Sequence, residues 1–130
     1  MMTAERAGDF TQPITDETTL RKVAGLVGLG VRGRLVVVGA ERVKIVAQKG
    51  AVQLVIVAPD ASRHTLDKVM PLLRARHIEV LEWPSAAHLG EVVGRETTAA
   101  VGILDQALAR GIRGAVAGTP PAGDVTRVTR

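Results

Sequence analysis

The chain has 130 residues, no cysteine, only Phe10 and Trp83 as aromatic residues, and a net charge of +4. That length suits one domain with a real core, the lack of cysteine excludes disulfides and thiolate metal sites, and so few rings argue against a protein that stacks single-stranded bases. Hydrophobic residues make up 46% of the chain, mostly Val, Ala and Leu, which excludes disorder over most of its length, and no apolar run approaches the ~20 residues that a membrane helix needs.

Residues 1–15 are polar, contain Pro13 and show no sustained period, so they read as a flexible tail. They carry no basic segment followed by an apolar one, hence no secretory signal, and a cysteine-free chain fits a cytoplasmic setting. Asp16 or Thr18 caps a predicted helix from Thr19 to Leu29, with Leu20, Val23, Ala24 and Val27 at helical spacing and Gly28 and Gly30 as its stop. Arg34 to Val38 is a β-branched run and therefore a strand, broken by Gly39. A helix follows from Glu41 to Lys49, ended by Gly50.

Leu54 to Ala58 is a continuous apolar strand of the kind buried on both faces. Ser62 caps a helix reaching about Arg76, in which Pro71 predicts a kink or a late start. Ile78 to Leu81 forms the third strand, Pro84 and Ser85 open a helix ending near Val93, and Ala99 to Leu104 forms the fourth strand. A short helix over Asp105–Ala109 closes the domain, and residues 111–130, rich in Gly, Pro and Thr, read as a flexible C-terminal tail. The alternation of strands and helices predicts an α/β domain over residues 16–110, with helices on both faces of an at least partly parallel sheet.

Little in the sequence supports catalysis. Gly28-Leu29-Gly30-Val31-Arg32-Gly33 matches G-x-G-x-x-G, but a dinucleotide site needs a strand before it and a helix after it, and here the order is reversed. No phosphate-binding G-x-x-x-x-G-K-[ST] loop exists. His64, His77 and His88 lack partners at metal-site spacing, and no Ser-His-Asp set can be assigned. The expectation is a protein without enzymatic activity, metal or cofactor. Trp83 reads either as an exposed interface anchor or as a ring closing the core.

The basic residues are unevenly spread. Arg32, Arg34, Arg42, Lys44 and Lys49 against Glu41 give residues 32–50 a charge of +4, equal to that of the whole chain. A glycine where a strand turns into a helix lets the backbone approach a ligand, and the free N–H groups of the helix start favour phosphate. An ordinary tight turn with a solvated helix face fits the same residues.

Four stretches favour the binding reading: LVGLGVRGRLVVVG (26–39), GAVQLVIVAPDAS (50–62), IEVLEWPSAAHLGEVVG (78–94) and AAVGIL (99–104). In their order and spacing the chain resembles the kink-turn-binding ribosomal proteins of the L-seven-Ae and L-thirty-e type, most of all their small bacterial YlxQ-type relatives. The resemblance implies a three-layer α/β/α sandwich with a mixed four-stranded sheet. It implies binding of structured, sharply bent RNA by the turn Gly39, Ala40, Glu41, Arg42 and Lys44 and by the loop Arg95, Glu96, Thr97, Thr98 and Ala99, with Arg32 and Arg34 adding positive charge. Glu41, Arg42 and Ile45 stand where the family's archaeal signature has Asn, Glu and Lys, and the chain has no asparagine. An ionised Glu only accepts hydrogen bonds, whereas an Asn amide also donates. The expectation is therefore a ribosome-associated protein that grips RNA backbone and shape more than base edges, with a protein-interaction module on the same fold as the alternative.

Overall fold

The computed structural model describes residues 11–118. Five strands, β1 (Thr11–Pro13), β2 (Val36–Val38), β3 (Leu54–Val57), β4 (Val80–Glu82) and β5 (Ala100–Ile103), alternate with five helices. The helices are α1 (Glu17–Arg32), α2 (Ala40–Gln48), α3 (Arg63–Ala75), α4 (Ala86–Val93) and α5 (Gln106–Ala117). The strands lie in the order β1-β4-β3-β5-β2. β1, β4 and β3 pair in parallel, whereas β5 runs antiparallel to both β3 and β2. β2 therefore points the same way as β1, β3 and β4, and the sheet is mixed, as expected.

Side-chain alternation splits the core in two. Leu54, Ile56, Leu81, Val101 and Ile103 face α1, α4 and α5, meeting Val27, Leu89 and Ile112. Val55, Val57, Val80 and Ala100 face α2 and α3, meeting Val43, Ala47, Val69 and Leu73. Every residue of β3 is buried, which explains its unbroken apolar run. Among the described residues no helix is long and apolar enough to cross a membrane.

Three expectations are corrected. Among the described residues the sheet has five strands, not four, because Thr11–Pro13 pairs with β4 in the register Thr11↔Val80. Three polar residues ending in proline carry no strand pattern, and Pro13 is tolerated because the strand is an edge. Next, α1 does not stop at Leu29: it runs through Gly28 and Gly30 to Arg32. Gly30 serves packing, since a Cβ there would lie 2.6 Å from Leu108 Cδ2 and 2.9 Å from Val36 Cγ1. Finally, α5 continues past Ala109 to Ala117, so residues 111–117 belong to the domain. Ile112 is fully buried, and Arg113 donates to Glu79 Oε1 at 2.6 Å and to the Gln53 carbonyl at 3.0 Å. The flexible segments expected at residues 1–10 and 119–130 lie outside the described residues. Pro71 sits inside a continuous α3, which Ser62 caps by accepting from Thr65 N.

Candidate nucleic-acid interface

The ends of β2 and β3 and the start of β5 meet at one edge of the sheet. Gly39 N donates to Ala100 O at 2.8 Å, extending the β2–β5 ladder by one residue, and Ala58 N donates to Ala99 O at 2.9 Å. The turn entering α2 and the loop entering β5 are thus neighbours. Gly39 has φ 105°, a conformation that L side chains rarely adopt, so the change from strand to helix is made where a Cβ would be strained.

Helix α2 starts without a side-chain cap because its N-cap residue is Gly39, whereas Asp16, Ser62, Ser85 and Asp105 cap the other four helices. Its first-turn N–H groups retain their hydrogen-bonding capacity and the partial positive charge of a helix start. Arg42 is exposed there, Lys44 is half-exposed, and Ile45 is 48% exposed on the same helix. Ala40 is buried and contributes backbone only.

Glu41, the one acid of the turn, is tied to α3: Lys68 Nζ donates to its carboxylate at 3.0 Å. The hydrogen bond and charge of Lys68 hold the Glu41 carboxyl below its ordinary value. This pairing offsets the repulsion that an acid would otherwise exert on phosphate, and it places Lys68 beside the site. Sequence reading did not single out Lys68, which lies 27 positions away on another helix.

The second loop is pinned along α4. Gly94 (φ 80°) reverses the chain, Arg95 N donates to Gly90 O at 2.8 Å, and Thr98 N donates to Ala86 O at 3.0 Å. Gly90 makes this approach possible, since a Cβ on it would lie 2.8 Å from Arg95 O and from Glu96 C and O. Asp60 Oδ1 accepts from Ala86 N at 2.7 Å, fixing the turn after β3 to the start of the same helix. Arg95, Glu96 and Thr97 remain exposed, while Thr98 is buried, with a hydroxyl that finds no partner among the described residues. Thr98 therefore anchors the loop and is not a surface contact.

Arg32 and Arg34 are not brought to this edge. They precede β2, and Leu35 O accepts from Leu104 N at 2.8 Å, where β5 ends. Both arginines sit at the opposite end of the sheet from Gly39, so the basic segment is divided between two ends. The interface-anchor reading of Trp83 is also overturned: the ring is 1% exposed, and its Nε1 donates to His88 Nδ1 at 2.7 Å. Among the described residues no cluster of three or more His, Cys, Asp or Glu side chains could hold a metal.

Residues 21–110 match the ribosomal protein L7Ae/L30e/S12e/Gadd45 family. The chain belongs to this family. The match includes both the Gly39 turn and the Arg95–Ala99 loop. A Bacillus halodurans protein of unknown function is similar in structure, with a TM-score of 0.67, 29% identity, and coverage of 74% of this chain and 97% of that one. The Giardia lamblia 15.5kD RNA binding protein shares the family fold with a TM-score of 0.65 at 20% identity, covering 80% of this chain and 89% of that one. No curated protein matches the chain significantly.

Proposed function

We propose that the chain is a non-enzymatic, ribosome-associated RNA-binding protein of the cytoplasm, which recognises bent, kink-turn-like RNA through backbone and shape. The observation that carries this reading is the junction of the uncapped, basic start of α2 with the pinned Arg95–Ala99 loop, in a chain of this family. Backbone N–H groups near Gly39 and the cations Arg42 and Lys44 engage phosphates. The loop presents Arg95, Glu96, Thr97 and the Ala99 backbone to the same RNA, while Glu41, held by Lys68, accepts hydrogen bonds only. The Giardia protein, described as RNA-binding, supports the same reading.

The test is fluorescence anisotropy with a labelled RNA hairpin interrupted by an internal loop, titrated at several salt concentrations. Arg42→Ala with Lys44→Ala should weaken binding and lower the slope of log affinity against log salt by about two, because two phosphate neutralisations are lost. An unchanged slope removes this turn from the binding surface.

A further inference from the structure

The end of the sheet remote from Gly39 is also cationic. β2, β3 and β4 begin there and β5 ends there, as the bonds Leu104 N to Leu35 O (2.8 Å), Gln53 N to Ile103 O (2.8 Å) and Val55 N to Glu79 O (3.0 Å) record. Helices α1, α2 and α3 finish at the same end and deliver Arg32, Arg34, Lys49 and Arg76 to it. All four are exposed, and none has an ion pair among the described residues. Glu79 is neutralised by Arg113, and Asp105 is engaged in capping α5 by accepting from Leu108 N.

Cations at helix C-termini have an ordinary use, since they complement the helix dipole, so their number must be weighed against it. Three helix C-termini bring about −1.5 charges and the α5 N-terminus returns about +0.5, a net of roughly −1. Four unpaired cations less Asp105 exceed that by roughly two charges. The row crosses β4, β3, β5 and β2, three strand spacings or roughly 14 Å, which spans a few phosphates of one strand.

Backbone conformation gives a separate indication. Among the described residues Arg34 (φ 61°) and His77 (φ 56°) alone adopt positive φ without being glycine, and both lie at this end. Glycine would fit Arg34's backbone without strain, yet the position carries an exposed guanidinium.

We infer that this end is a second RNA-phosphate surface, sequence-independent and separate from the Gly39 turn, so that the domain contacts RNA at both ends of its sheet. The inference rests on the RNA-binding reading above. The same labelled hairpin, long enough to reach both ends, tests it on the full chain. Arg34→Gly with Lys49→Gln and Arg76→Gln should lower the salt slope by two to three, in line with three lost phosphate contacts. The fall should add to that of Arg42→Ala with Lys44→Ala. Arg34→Gly suits the backbone, and the melting temperature of the triple variant checks that the fold is intact.

An unchanged slope in a folded triple variant overturns the inference, whatever the Gly39-turn variant does. A fall in the triple variant with none in Arg42→Ala/Lys44→Ala upholds this surface and removes the other. Loss of binding to anionic vesicles or to an acidic protein, with RNA binding intact, also overturns it.

Discussion

Gly90→Ala isolates the role of the Arg95–Ala99 loop, because it removes no charge and alters no side chain of the loop, meeting only backbone atoms of Arg95 and Glu96. The new Cβ would start 2.8 Å from Arg95 O and Glu96 C and O, against 3.4 Å for ordinary contact, so the loop must retreat by about 0.6 Å. The opposing atoms are backbone, and no rotamer change relieves the clash. Overpacking of this kind costs about 1–3 kcal/mol, offset by about 1 kcal/mol because Ala favours a helix over Gly. A net loss of about 1 kcal/mol should lower the melting temperature by about 4 °C for a domain of this size. Retreat also strains the Arg95 N–Gly90 O and Thr98 N–Ala86 O bonds that set the loop beside Gly39. RNA affinity should fall about tenfold, equivalent to about 1.4 kcal/mol, with an unchanged salt slope since no cation is lost. Denaturant titration followed by the single tryptophan, Trp83, reads the first effect, and anisotropy reads the second. Wild-type stability would refute the packing argument. Lower stability with wild-type affinity would show that the loop is packed as described but is not part of the binding surface.

His88→Ala removes the acceptor of the Trp83 Nε1 hydrogen bond and should cost about 1 kcal/mol in urea unfolding, more if water cannot reach the orphaned N–H; unchanged stability would discount that bond. Arg34→Gly alone should stabilise the fold by about 0.5–1 kcal/mol, since relief of a left-handed non-glycine residue outweighs the added freedom of the unfolded chain, and a lower melting temperature would contradict this. Lys68→Met should raise the Glu41 carboxyl towards its ordinary value of 4.5, as followed by NMR titration. Because Glu41 titrates lower when folded than unfolded, the pair's contribution is present above 4.5 and disappears as pH falls through the folded value; a Glu41 signal insensitive to Lys68→Met would remove the pair from the site.

The sequence carried the layer order well, because β3 and β5 are apolar runs, β4 sets the apolar Val80 and Leu81 between Glu79 and Glu82, and α1 to α4 have clear caps or periods. It failed where tertiary packing overrode local signals. Gly30 looked like a stop and is a contact with Leu108 and Val36. Thr11–Pro13 looked like tail and is held by β4. Gly111 and Gly114 looked like the end of order, yet α5 passes through them because Leu108, Ala109 and Ile112 are buried. The basic cluster at residues 32–50 was visible as composition, but one strand lies inside it, and a strand sends its two ends to opposite sides of a domain. Linear proximity therefore misplaced Arg32 and Arg34, while Lys68, remote in sequence, went unseen.

The position of β1 bears on how the edge of β4 is covered. It pairs with β4 across a long stretch of chain, Thr11 meeting Val80, and its Pro13 offers no N–H to a further strand. Ile14 adds a bond to Glu82 O and is 4% exposed. A fragment trimmed to the family match at residues 21–110 would lose β1, Ile14, the Asp16 cap and the last turns of α5. Such a fragment would bare the β4 edge, with the apolar Val80 and Leu81 behind it, as a template for strand addition. The short polar segment ahead of the recognisable domain thus covers an edge of its sheet, and the folded unit extends beyond the family boundaries at both ends.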